Sequence, residues 1–298
     1  MDVLEQLNRG RILISDGAWG TELDARGLPA GEPPERWVLD NPNAVLDLAR
    51  AYAESGPDIL MTPTMGGTRI TLARAGLADH VEQINRRALE LSKQAAAGPM
   101  PVFASVGPTG EFMEPLGEVS EAEMVAAFAE QMRVLIAAGA DGIVIETMFD
   151  LDETRAALRA VNEHSDVPVV VSMTFDKGQR GYATIMGVSP QQAAEELQAA
   201  GADVVGSNCG HGIAEAIEVT RLMRPATDLP LWCKPNAGMP RLEAGQAVFD
   251  QTPEEMASHF GELVAAGAQV IGGCCGTTPE HIRALIQARD EMTGNQSQ

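Results

Sequence analysis

Four cysteines occur in the chain, and two of them are neighbours, Cys274 and Cys275 within Gly272-Gly273-Cys274-Cys275-Gly276. An apolar run, Gln269-Val270-Ile271, precedes the pair, and Thr277-Thr278-Pro279-Glu280 follows it with the character of a helix start. Cys209 sits in an equivalent place, after Val204-Val205-Gly206-Ser207-Asn208. Thiols at the ends of apolar strands suit a soft metal ion, zinc first of all, with Cys209, Cys274 and Cys275 as its ligands. Three protein ligands leave the fourth position open, which is the arrangement of a catalytic site. A thiol is the natural molecule to fill it. Accidental burial of three thiols is the competing reading, and their common position at strand ends argues against it. Cys233 falls inside an apolar strand and reads as a small buried hydrophobe.

The elements that must position these residues recur along the chain. One phrase hands a helix over to a strand: Ser55-Gly56-Pro57-Asp58-Ile59-Leu60-Met61, Ala138-Gly139-Ala140-Asp141-Gly142-Ile143-Val144-Ile145-Glu146, Ala200-Gly201-Ala202-Asp203-Val204-Val205 and Ala266-Gly267-Ala268-Gln269-Val270-Ile271. Glycine ends the helix in a left-handed conformation and a buried β-branched run follows. Between these copies, proline opens a strand: Pro101-Val102-Phe103, Pro168-Val169-Val170 and Pro230-Leu231-Trp232. With the opening run Arg11-Ile12-Leu13-Ile14-Ser15, eight strands are predicted, separated by helices such as 121–138 and 190–200. Alternating βα units with fully apolar strands make a parallel sheet, and eight of them make a single (β/α)8 TIM barrel. One domain over 1–298 is expected, with a core of about 10–290 and a frayed tail at 294–298. In such a barrel the C-terminal ends of the strands carry function. Those ends are Asp16, Thr62, Ser105, Glu146, Thr174, Asn208-Cys209, Asn236 and Cys274-Cys275, nearly all polar or metal-binding. The long connections 25–42, 108–119 and 235–252 rise over the same mouth and are candidates for a substrate rim or a partner surface.

Composition narrows the function. A formal charge of −21 argues against nucleic acid and anionic membranes as partners. No apolar run approaches the ~20 residues of a membrane span, and the N-terminus lacks the regions of a signal peptide. The expected setting is the cytoplasm, where thiols stay reduced and free to bind metal. Four cysteines in 298 residues do not make a disulfide framework.

The motifs Asp16-Gly17-Ala18-Trp19-Gly20-Thr21-Glu22, Gly107-Pro108-Thr109-Gly110, Glu146-Thr147-Met148-Phe149-Asp150, Asn208-Cys209-Gly210 and Gly272-Gly273-Cys274-Cys275-Gly276-Thr277-Thr278-Pro279 occur in this order. Together they resemble the homocysteine S-methyltransferase family, and most of all the homocysteine-binding barrel of cobalamin-dependent methionine synthase. The resemblance covers about residues 10–290. It implies zinc on Cys209, Cys274 and Cys275, with the thiolate of homocysteine as fourth ligand, accepting a methyl group to give methionine. It also implies that Asp16 and Glu146 hold the amino group of homocysteine, an ammonium between carboxylates. Backbone N–H groups of the turn at Gly17 and Ala18 are placed to receive the carboxylate. Ser105 and Asn236, at neighbouring strand ends, are weaker candidates for the same ligand. His211, close after Cys209, reads as a loop residue. The chain departs from the family at Pro63, where asparagine is usual, and at Met65, where an aromatic is usual.

Within that resemblance the methyl donor comes from a separate molecule, a methyl-corrinoid protein first, or else S-methylmethionine, a betaine or a folate. Two other readings stay open: the same chemistry on a different thiol, and a non-catalytic subunit that binds zinc and homocysteine. A metal-free, aldolase-like barrel would need a catalytic lysine. Lys234 is the candidate by position, and the sequence shows no partner that would perturb it.

Overall fold

The computed structural model describes residues 2–96, 98–243 and 246–295. Eight parallel strands form one sheet: β1 (Leu13–Ile14), β2 (Leu60–Met61), β3 (Val102–Val106), β4 (Gly142–Met148), β5 (Val169–Met173), β6 (Val204–Cys209), β7 (Leu231–Pro235) and β8 (Ala268–Ile271). They follow one another in order round the sheet, and β8 returns to pair with β1. A parallel bridge between Ser15 and Ile59 joins β1 to β2 and closes the ring. The (β/α)8 barrel read from the repeated phrases is the fold.

Alternation along the strands divides the core in two, because successive side chains point to opposite faces. One set of buried residues (Leu13, Ile59, Met61, Phe103, Val144, Val170, Val204, Trp232 and Val270) meets on the barrel axis. Val3 and Leu7, from a short helix at Val3–Asn8, join this cluster and plug its floor. The intervening residues, such as Ile14, Ala104, Ile145, Val171, Val205, Cys233 and Ile271, pack outward against the helices.

The helices end as their sequences require. Gly56 takes φ 87° after Pro42–Ser55, a left-handed cap that only glycine adopts freely. The 121–138 helix begins at a Ser120/Glu123 capping box and runs Glu121–Ala137. The last helix, Pro279–Asn295, extends into the tail expected to fray, and 296–298 lie outside the described residues. Buried residues of the helices between the strands pack with the outward-facing strand residues, so the strands are covered on their outer face and sealed on their inner one.

Three features of the mouth were not legible beforehand. The 25–42 connection contains a helix, Pro34–Asp40, whose Glu35 is buried. A hairpin of Asp176–Gly178 with Gly181–Ala183 rises after β5. A second, of Arg241–Glu243 with Gln246–Val248, rises after β7. The strands of both hairpins are three residues long, too short to show an alternation.

Candidate metal centre and acceptor cavity

At the end of β6, Cys209 adopts φ 62°, a left-handed backbone that is uncommon for a side-chain-bearing residue. Thr147, at the end of β4, does the same with φ 62°. Asn208 ties the two together. Its Oδ1 accepts from the Thr147 N–H at 2.9 Å and from Ser172 Oγ at 2.7 Å, and its Nδ2 donates to Thr147 Oγ1 at 2.8 Å and to Cys209 Sγ at 3.2 Å. Strain held in place by a neighbouring side chain is a feature of functional sites. Asn208 is therefore a site residue, with a role that its position at a strand end only hinted at.

Cys274 and Cys275 come from the turn that leaves β8. The two glycines before them let this turn run against β1. A Cβ on Gly272 would lie 2.1 Å from Ser15 Oγ, and one on Gly273 would lie 2.3 Å from Thr277 Oγ1. The Cys274 N–H donates to the Pro235 carbonyl at 2.8 Å, and Thr277 Oγ1 donates back to the Cys274 carbonyl at 2.7 Å. The sulfurs of Cys209, Cys274 and Cys275 all lie within 4.8 Å of one another, with Cys209 and Cys274 at 3.1 Å. Hydrogen bonds from Cys209 and Cys275, with Lys234 and Asn208 behind them, hold Cys274 well below the usual thiol range. Three half-buried sulfurs within reach of one point fit a tetrahedral soft metal with one open position.

Cys233 faces the helices instead, fully buried, with its thiol pushed up to about 11 by burial. His211 is turned toward Glu215, 3.1 Å from Nδ1, and Asp176, 3.7 Å from Nε2.

Beside the thiols lies a cavity of about 310 Å³, whose walls include Cys274, Cys275, Glu146, Ser105, Lys234 and the turn at Gly17 and Ala18. Glu146 reaches it because Val144 and Glu146 share the inner face of β4. Ser105 Oγ donates to Glu146 Oε1. Burial pushes the Glu146 carboxyl up to about 7, although Lys234 pulls it down. Pro63 and Met65 line the same cavity, and Met65 Sδ accepts from Thr147 Oγ1 at 3.7 Å. Glu35 also lines it and accepts from the Gly66 N–H at 2.6 Å, a contribution with no signal in the sequence.

Asp16 is fully buried at the end of β1. Its Oδ2 accepts from the Met61 N–H at 2.8 Å and from Trp19 Nε1 at 3.0 Å, and its Oδ1 pairs with Lys234 Nζ at 3.1 Å. Lys234 thus has a partner after all, which corrects the expectation from sequence. Burial draws its pKa down, but Asp16, Glu146 and Cys274 more than offset this and hold it above the usual lysine value. Paired with Asp16, Lys234 is presented as an ion-pair partner rather than as the activated amine that an aldolase-like barrel needs. The Ala18 N–H is already donated to Thr277 Oγ1 at 3.1 Å, so the Gly17-Ala18 turn has less to offer a carboxylate than its sequence suggests. Asn236 stands apart from the cavity walls and donates from Nδ2 to the Gly210 carbonyl at 2.7 Å, bracing the loop that follows Cys209.

Fold and site together define a (β/α)8 barrel enzyme with a cluster of three thiols at the C-terminal mouth. A model of the homocysteine S-methyltransferase family matches residues 13–289. The chain belongs to the homocysteine S-methyltransferase family. It is 30% identical over 307 residues to the methionine synthase of Mycobacterium leprae (strain TN), a match that covers 96% of this chain and 25% of that protein. The methionine synthase of Mycobacterium tuberculosis (strain ATCC 25618 / H37Rv) is 30% identical over 306 residues, covering 97% of this chain and 25% of that protein. The chain spans about a quarter of the length of these relatives. Among solved structures, the metallated form of the homocysteine methyltransferase MmuM from Escherichia coli superposes with a TM-score of 0.78 at 24% identity, over 94% of this chain and 97% of that one. A methyltransferase from Methanosarcina mazei gives 0.58 at 15% identity, over 95% and 94%. At these identities the two structures speak for the fold alone.

Proposed function

We propose that this barrel transfers a methyl group to the thiol of homocysteine, giving methionine, with a zinc ion held by Cys209, Cys274 and Cys275. The observation that carries the reading is the meeting of these three sulfurs, from two separate strands, beside a cavity that also presents a carboxylate and an ammonium. Zinc bound there supplies a Lewis acid that favours the thiolate over the thiol at neutral pH. The protein's own part is to hold and orient. Asn208 fixes Cys209 in its strained conformation, and the Pro235 carbonyl and Thr277 fix Cys274. Glu146, oriented by Ser105, is the anchor for the substrate ammonium. In the transfer the thiol loses its proton, the sulfur forms a bond to the methyl carbon, and the donor leaves with the electron pair of the bond that breaks.

Likeness to methionine synthases favours a methyl-corrinoid protein as the donor. No helix among the described residues is long and apolar enough to cross a membrane. Four free thiols favour a reducing compartment such as the cytoplasm. The test is metal analysis of the purified protein together with methyl transfer to homocysteine from a panel of donors. One zinc per chain and methionine formation are expected. Metal-free protein that still turns over would overturn the reading. Turnover of another thiol but not homocysteine would move the acceptor, and tight binding without turnover would make this a binding subunit.

A further inference from the structure

We infer that Lys234 reads the carboxylate of the acceptor, so that the cavity recognises a zwitterion with one side chain for each charge. The inference rests on the functional reading above and deepens it. On β7, Trp232 and Lys234 share the inner face while Cys233 looks outward. Lys234 pairs in register with Asn208, the residue before Cys209, which sets its ammonium on the level of the thiols. It is 3% exposed and belongs to the cavity wall together with Glu146, Cys274 and Cys275.

Donors and acceptors assign the two carboxylates to different tasks. Asp16 accepts three hydrogen bonds from the protein, from Met61, Trp19 and Lys234, and has little capacity left for a substrate ammonium. Glu146 accepts from Ser105 at one oxygen, and its other oxygen has no protein donor among the described residues. Glu146 is thus the acceptor left for an ammonium. Lys234 carries three N–H donors and uses one on Asp16, and the other two have no protein acceptor among the described residues. A substrate carboxylate brought into this cavity meets thiolates and Glu146. Lys234 is the one cation in the described wall that can balance it. A buried ion pair is weak evidence of a stabilising role, since apolar residues of similar volume often serve the fold as well. A lysine in the cavity wall that spends one hydrogen bond on Asp16, with its Nζ 5.8 Å from the centroid of the Trp232 ring, keeps donor capacity for a ligand.

The test uses zinc-loaded protein and calorimetric titration with homocysteine, with 3-amino-1-propanethiol, which lacks the carboxylate, and with 4-mercaptobutanoate, which lacks the amino group. Lys234→Met is expected to weaken homocysteine by about 10- to 100-fold, the loss of one charged hydrogen bond. It should change 3-amino-1-propanethiol by less than about threefold, and Lys234→Arg should keep most of the preference. If Lys234→Met does not fold because Asp16 is left unpaired, the double variant Asp16→Asn with Lys234→Met removes both charges and is read in the same way. A structure of the homocysteine complex, which needs no variant, should show Nζ within hydrogen-bond distance of the carboxylate. Equal weakening of both ligands would make Lys234 a brace for Asp16 and overturn the inference alone, as would a complex with the carboxylate elsewhere. Absence of homocysteine binding to the unsubstituted protein would overturn the functional reading as well.

Discussion

The lower interior of the barrel holds Leu13, Ile59, Phe103, Val144, Val170, Trp232 and Val270, whereas two residues further along the same strands stand Ser15, Met61, Ser105, Glu146, Ser172, Lys234 and Gly272. Both layers face inward by the same alternation, and both are buried. The lower one is held by removal of apolar area from water, which is indifferent to direction. The upper one buries polar and charged groups, and most of these are held by specific partners: Ser105 by Glu146, Ser172 by Asn208, Lys234 by Asp16. The contrast teaches that stability and chemistry are stacked, with an apolar plug below and a directional, polar layer above it. Substitutions should divide accordingly, the lower layer governing unfolding and the upper governing ligands.

The sharpest break is expected at the sulfurs. Cys209→Ser, Cys274→Ser or Cys275→Ser should each abolish tight metal retention and bring methyl transfer to background. The melting temperature of the metal-free protein should shift by no more than about 2–4 °C, the equivalent of about 1 kcal/mol in a domain of this class. Metal analysis with calorimetry checks this, and an unfolded variant would show that the upper layer carries stability after all.

Next comes the plug. Trp232→Ala is expected to destabilise the fold by about 3–5 kcal/mol, through lost burial and the cavity left behind. The folded fraction should keep its metal. Denaturant unfolding measures the first, metal analysis of the folded peak the second.

Glu146→Gln should leave metal in place and weaken homocysteine by about 1.5–3 kcal/mol, the loss of a charged hydrogen bond. The same residue gives the metal-free protein a pH signature. Burial raises its carboxyl from 4.5 to about 7, so between these values the folded chain binds a proton that the unfolded chain has lost. The contribution of this carboxyl is therefore fully present below about 4.5 and is lost as pH rises toward about 7, by about 3 kcal/mol. Between pH 5 and pH 7.5 the unfolding free energy of the unsubstituted protein should change less favourably than that of Glu146→Gln, and that difference measures this carboxyl. Glu35 and Glu153, raised by the same cause, contribute slopes of the same sign, and Cys274, held low, one of the opposite sign, and all three remain in Glu146→Gln.

The smallest effect belongs to Cys233→Ser. This thiol packs against the helices and accepts from Thr220 Oγ1 at 3.7 Å. A buried hydroxyl in its place should cost about 1 kcal/mol, with metal content unchanged. A loss of metal there would undo the division between the inner and outer faces of β7.

Much of this was present in the chain before any folding was considered. Glycine-capped helix ends followed by β-branched runs announce βα units locally, since left-handed caps and strand burial depend on a few consecutive residues. The barrel follows from counting those units, and the three sulfurs follow from their place at the ends of two of them. Cys233 was separable from the other thiols because its position inside a strand already implies burial. What the chain alone did not decide is how groups from different strands would share hydrogen bonds. Asp16 and Glu146 look alike as strand-end carboxylates. Only the closed ring brings Lys234, 218 residues away in sequence, onto Asp16 and leaves Glu146 open to the cavity. The same holds for Ala18 and Thr277, Asn236 and Gly210, and Glu35 and Gly66. Local backbone preference and periodicity are written in short stretches of sequence. The partner of a buried charge is set by register and closure of the whole sheet, and in this protein that pairing determined which residues remain free to meet a ligand.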